Sequence, residues 1–269
     1  MPAALRLIHP APALAVTLLA AVLGAILLTQ AGQPLGIRLL LTVAAVGGSQ
    51  IATGALNDLV DRARDTASGR REKPLAAGAI SRRGAAAVAL VGVALQLAAS
   101  IPLGAVATVL GLTALASAVA YDLWLSRTPL SPIPYLISFG LLPLWIVAGV
   151  GVDAGRVLPA VPLAALLAGA AHLANTLRDF DADAAAGSRS LAQLLGRGGT
   201  QRLAVACLAA VGLGVGAALL IGGASPVPLL LGAAGLGIVA IGATSERRLW
   251  YAILAAAVAW TVAWALATG

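Results

Sequence analysis

Nine apolar windows, each about 18 to 22 residues long, limit what this chain can fold into. They run over 11–31, 36–56, 84–101, 103–120, 131–151, 157–176, 200–221, 226–243 and 248–267. A helix rises about 1.5 Å per residue, so about 20 residues cross the roughly 30 Å apolar core of a bilayer. No water reaches the backbone inside that core, and a helix satisfies each N–H and C=O within its own segment. Only 10% of the residues are charged, against about 25% in a soluble domain. The expected fold is all-α: a multi-span integral membrane protein with about nine transmembrane helices, forming one domain over residues 1–269.

Breaks between the windows support that division. Pro102 alone separates the third and fourth, which predicts a tight hairpin, and Gly222-Gly223-Ala224-Ser225-Pro226 is a turn between the seventh and eighth. The first window follows Arg6 and is longer than the apolar stretch of a secretory signal, so it is read as the first span. Cys207, the single cysteine, lies in an apolar run and is expected to pack. The net charge of +7 reports orientation here, and no nucleic-acid partner is expected. Fifteen of the seventeen Lys and Arg residues fall at the N-terminus or near alternate loops, leaving only Arg38 and Arg156 on the other side. Basic loops stay in the cytoplasm, which places the N-terminus inside a plasma membrane of bacterial type. Every acid except Asp153 lies on that same side.

Those acids are patterned. Asn57, Asp61 and Asp65 stand at offsets 0, 4 and 8, and Asn175, Asp179 and Asp183 repeat the offsets 118 positions later (175 − 57 = 118). On a helix each step of four advances about 400°, so a trio forms a stripe drifting about 40° per step. The stripes close the second and sixth spans, as a duplicated four-helix unit would place them, over about 11–120 and 131–243. Parallel copies open toward one compartment, and the stripes are expected to face each other.

Clustered carboxylates repel unless a cation lies between them. Carboxylate and amide oxygens are hard donors that suit Mg²⁺, which takes one or two carboxylates and completes its shell with water or phosphate oxygens. Such stripes suit a metal-bound diphosphate, with Lys73, Arg70, Arg71, Arg127 and Arg178 to meet the remaining phosphate charge.

At these residues the chain resembles a known family. Asn57-Asp58-x-x-Asp61-x-x-x-Asp65 is similar to the first aspartate-rich motif of the UbiA superfamily of intramembrane prenyltransferases. Asn175-x-x-Arg178-Asp179-x-x-x-Asp183-x-x-x-Gly187 is similar to the second. Lys73-Pro74-Leu75-Ala76-Ala77-Gly78-Ala79-Ile80-Ser81, Tyr121 with Leu125-Ser126-Arg127, and Ser190-Leu191-Ala192-Gln193-Leu194-Leu195-Gly196 resemble further family segments. The family carries a diphosphate-contacting lysine in the Tyr121 loop. This chain has Ser126 there, with Arg127 adjacent.

The resemblance implies helices arranged around a central cavity and transfer of a prenyl group from an allylic diphosphate with Mg²⁺. Asp61, Asp65, Asp179 and Asp183 become the expected catalytic metal ligands, with Asn57 and Asn175 completing the shells. Lys73, Arg71, Arg127 and Arg178 become the diphosphate contacts. Helical geometry turns Asp58 and Asp181 away from the stripes, as solvated charges. Gln50, Thr53, Tyr121 and His172 are candidates for the acceptor pocket, polar groups in or beside spans being costly without a role. Trp250, Trp260 and Trp264 are read as packing or interface residues. The partners implied are a prenyl diphosphate, a small acceptor and membrane lipid. A terpene cyclase on the same scaffold is an alternative, whereas a cation transporter would favour charges nearer the bilayer midplane.

Overall fold

A computed structural model describes residues 2–67, 69–70 and 72–268. Its helices are α1 (Ala3–Leu7), α2 (Pro10–Gln30), α3 (Ile37–Ala67), α4 (Arg82–Ser100), α5 (Ala105–Leu123) and α6 (Ile133–Val150). They continue as α7 (Ala160–Arg178), α8 (Phe180–Ala185), α9 (Leu191–Ile221), α10 (Pro226–Gly242) and α11 (Glu246–Thr268). No strand occurs among the described residues. Among the described residues eight helices are long and apolar enough to cross a membrane. The ninth expected span is α10, whose 17 residues extend about 25 Å.

Two windows continue into polar sequence as helix. The second ends in sequence near 56, yet α3 runs on to Ala67 and takes the first acidic stripe with it. The seventh begins near 200, yet helix starts at Leu191 and is interrupted at Gly196, whose φ of 67° is the left-handed conformation glycine tolerates. A short first helix, α1, precedes the first span and was not foreseen.

The chain divides into two compact units, Met1–Leu123 with Leu144–Gly155, and Trp124–Pro143 with Arg156–Gly269. The division falls within α6 at Pro143, which has no N–H to bond back to the preceding turn.

In the first unit α3 is the central element, packed on α4, α2 and α5. Its contact with α4 is backbone against backbone. A Cβ on Gly92 would lie 2.5 Å from the Ala52 nitrogen, and one on Gly48 would lie 2.6 Å from the Gln96 nitrogen. Small residues that admit such approach replace the missing hydrophobic force between helices in lipid. At the start of α3, Arg38 donates to the carbonyls of Leu103 (3.2 Å) and Ala148 (3.1 Å), placing its charge at the carbonyl-bearing ends of neighbouring helices. The second unit is built from α7, α9, α10 and α11 around Leu173, Leu177, Leu208, Leu249, Ile253 and Trp260. Trp260 is buried there, and its indole N–H donates to the Gly232 carbonyl at 3.2 Å.

Candidate active site

The first stripe is part of a network centred on Lys73. Leu75 is buried beside Leu7, Ala55 and Ala85, which fastens the segment after α3 and turns Lys73 back onto that helix. The Lys73 Nζ lies 2.9 Å from Asp58 Oδ1, 3.1 Å from Asp65 Oδ2 and 3.3 Å from Asn57 Oδ1. Burial alone pulls the ammonium pKa down, but hydrogen bonds and charge from Asp58 and Asp65 outweigh it and hold Lys73 above its usual range. Lys73 therefore stays charged near neutral pH. The Asn57 amide donates to Asp122 Oδ1 at 3.0 Å, which turns its own oxygen toward Lys73. Arg64 reaches Asp61 at 3.3 Å, and Arg70 lies 3.6 Å from Asp65. Arg71, the other basic candidate of this segment, lies outside the described residues.

Asp58 is not the solvated, outward charge the sequence suggested: it is 1% exposed and paired to both Lys73 and His9. The reason is the drift of the stripe itself. Relative to Asn57, Asp61 lies at about 40° and Asp65 at about 80°, so Asp65 comes within about 20° of Asp58 at about 100°. Lys73 bridges the two.

The second stripe departs from the expected single helical face. Helix α7 stops at Arg178, Asp179 is the junction (φ −101°, ψ 10°), and α8 starts at Phe180 with Asp181 and Asp183 in its first turn. The Asp183 N–H bonds to the Asp179 carbonyl at 2.8 Å, so one turn links the acids across the break. Asn175 remains on α7, one turn before Asp179. Asp181 is 86% exposed and holds Arg197 at 2.7 Å. Arg197 also bonds Glu246 at 2.9 Å and stacks over the Phe180 ring at 4.8 Å, while Gln193 donates to the Phe180 carbonyl at 2.8 Å. These contacts fasten α8 to α9 and α11.

Arg178 donates weakly to Asn175 Oδ1 at 3.5 Å and lies 5.5 Å from the Trp250 ring centre. Both line a cavity of about 400 Å³ with Glu246, Arg247 and Tyr251. Trp250 is thus more than a packing residue, because its face holds a guanidinium beside motif two. Arg127 is exposed at the end of the short turn Leu125–Arg127, and its carbonyl accepts from the Arg189 N–H at 3.0 Å.

The acceptor candidates fall in both units. Gln50 is half-buried on α3, and the Thr53 hydroxyl donates to the Ser49 carbonyl of its own helix at 3.0 Å. Tyr121 lies in the last turn of α5, half-buried, next in sequence to the buried Asp122. His172, in the second unit, is buried on α7, with Nε2 3.1 Å from Ser131 Oγ and its ring 4.6 Å from that of Tyr135. Sequence reading missed His9, Asp122 and Arg197. Asp122 carried a signal, since an acid inside a span suggests a functional site, but it fell at the edge of a presumed loop.

The UbiA prenyltransferase family profile matches residues 17–269. No curated protein matches the chain. Several solved structures share its fold. A UbiA homolog from Archaeoglobus fulgidus, solved bound to GPP and Mg²⁺, is 18% identical with a TM-score of 0.75, covering 99% of this chain and 100% of that one. Digeranylgeranylglyceryl phosphate synthase is 15% identical with a TM-score of 0.74, covering 99% of this chain and 97% of that one. A UbiA homolog from Aeropyrum pernix K1 is 22% identical with a TM-score of 0.69, covering 97% of each chain. The structures establish likeness of fold alone, while the profile spans nearly the whole sequence and includes both acidic motifs: this chain belongs to the UbiA prenyltransferase family.

Proposed function

We propose that this membrane prenyltransferase moves a prenyl group from an allylic prenyl diphosphate to a small acceptor, aromatic or lipid-like, at the cytoplasmic ends of its helices. The observation that carries the reading is the set of three oxygens, from Asn57, Asp58 and Asp65, gathered around the Lys73 ammonium. Two of those oxygens, from Asn57 and Asp65, belong to the hard-donor stripe that suits Mg²⁺, the ion named with GPP in the A. fulgidus relative. Among the described residues no three His, Cys, Asp or Glu side chains form a metal nest. Mg²⁺ takes one or two carboxylates and leaves positions for diphosphate oxygens.

Asn57, Asp61 and Asp65 would hold the ion in the first unit, and Asn175, Asp179 and Asp183 would take the same role in the second. When bound, Mg²⁺ neutralises charge on the departing diphosphate. Lys73, Arg178 and Arg127 add fixed positive charge toward the phosphate oxygens, and Arg71 is proposed with them from sequence. The allylic C–O bond breaks and its electrons leave with the diphosphate. The acceptor's electron pair then attacks the allylic carbon, and the acceptor loses a proton. Apolar walls keep water from capturing that carbon first. Tail burial contributes about 0.8 kcal/mol per CH₂ to donor binding. Gln50, Thr53, Tyr121 and His172 remain the proposed acceptor contacts. The same four-span repeats, about 11–120 and 131–243, account for the matched offsets of the motifs.

The test is a panel of acceptors offered with labelled geranyl, farnesyl and geranylgeranyl diphosphates, read by mass spectrometry. The expected result is a prenylated acceptor with released diphosphate, stopped by EDTA and restored by Mg²⁺. Turnover that persists in EDTA would remove the metal role. A cyclised hydrocarbon formed without acceptor would identify a cyclase.

A further inference from the structure

The N-terminal segment does more than lead into the first span. Three contacts bind it to motif one. Leu7 is fully buried in the cluster of Ala55, Leu75 and Ala85, the same cluster that fastens the Lys73 segment. Gly54 on α3 lets the chain at Ile8 approach so closely that a Cβ there would meet the Ile8 carbonyl carbon at 2.9 Å. His9 then reaches across 49 positions of sequence to place Nε2 3.0 Å from Asp58 Oδ1.

His9 also holds a conformation that side chains rarely adopt. Its φ is 50°, and it is the only residue other than glycine with positive φ among those described. Left-handed backbone at a non-glycine residue is kept where the surroundings fix it, often near functional sites. Here it turns the chain between α1 and α2 and aims the imidazole at Asp58.

The consequence lies in how Asp58 is held. Its Oδ1 takes both His9 and Lys73, while the buried Oδ2 has no hydrogen-bond partner among the described residues. Without His9, the carboxylate keeps one fastening contact and gains freedom to rotate about it. Lys73 would keep its contacts with Asn57 and Asp65, but the Asp58 carboxylate that sets its position against them would no longer be fixed. We infer that His9 is a positioning residue for prenyl diphosphate binding, which acts through Asp58 to hold Lys73 over motif one. This rests on the proposed diphosphate role of that motif and requires no change in the protonation of His9.

The experiment compares the full chain with His9→Ala, His9→Gly and His9→Gln, all in nanodiscs. Calorimetry follows Mg²⁺-dependent binding of geranyl diphosphate, alongside kcat, KM and melting temperature. Replacing a group that orients ligands through a second residue lowers affinity or activity about 10- to 100-fold. His9→Ala and His9→Gly are therefore expected to weaken donor binding and raise donor KM by about tenfold, with kcat changed less, and His9→Gln to recover most of it. The glycine variant relieves the left-handed backbone, so it should melt at or above His9→Ala and still bind poorly. A turn-forming role alone would leave His9→Gly with wild-type affinity, and that result would overturn the inference. Wild-type affinity in His9→Ala would also overturn it, leaving the diphosphate reading intact. If the unaltered protein binds no geranyl diphosphate, the broader reading fails and this one with it. Should His9→Ala not fold, the contrast of His9→Gly with His9→Gln reads the same quantity.

Discussion

Asp61→Ala is expected to lower prenyl transfer at saturating donor by at least about a thousandfold, about 4 kcal/mol in the barrier. Stability should fall by no more than about 1 kcal/mol. The two expectations separate because Asp61 is less buried than Asp65, 15% exposed against 1%, and is paired with Arg64 at 3.3 Å one turn along the same helix. Partly exposed ion pairs within one helical turn contribute little to folding. Asp65 contrasts with it, being 1% exposed with Lys73 at 3.1 Å. Removing one partner of a buried pair typically costs about 3–5 kcal/mol, so Asp65→Ala should lose turnover and folded protein together. Asp61→Ala is the cleaner probe. A folded Asp61→Ala protein, checked by size exclusion and melting, that retains more than about a tenth of wild-type kcat would remove Asp61 from the metal ligands.

How much of this site was legible in the sequence depends on the range of the interaction. The spans were legible because lipid forces each buried backbone group into a helix, leaving apolar length as a direct record. Stripe one was legible because the offsets 0, 4 and 8 are local geometry on a helix that continues through them. The position of Asp58 was open to the same arithmetic, had the drift been carried as far as Asp65. The break at Asp179 had no local signal, since Asn175 to Asp183 contains neither Gly nor Pro. Its cause lies in distant contacts, with Arg197 and Gln193 of α9 pulling on α8. His9 pairs over 49 positions and Arg197 with Glu246 over 49, distances at which no spacing rule operates. Such pairs are decided by packing, and become visible only when the helices are placed.

Helix placement itself is open to a second experiment with a large effect. Gly92→Ala is expected to destabilise the protein by about 3 kcal/mol, the upper end for overpacking. The added carbon would face the Ala52 nitrogen at 2.5 Å and the Gly48 carbonyl at 2.7 Å. Backbone on a packed helix cannot rotate aside as a side chain can, so α3 and α4 must separate along their contact. A comparison within the same chain isolates that cause. Gly216 also lies inside a helix, α9, but a Cβ there meets nothing within 4 Å. Gly216→Ala removes the backbone freedom of glycine without a clash and should stabilise by about 0.5–1 kcal/mol. Thermal melts of both variants in one detergent give the reading. At roughly 2–4 °C per kcal/mol for a chain of this size, Gly92→Ala should melt about 6–12 °C lower, with Gly216→Ala level or higher. Equal melting of the two would mean that the close approach of α3 to α4 is not a main source of stability. A low melt for Gly92→Ala alone would make that contact a main support of α3, the helix that carries Asn57, Asp61 and Asp65.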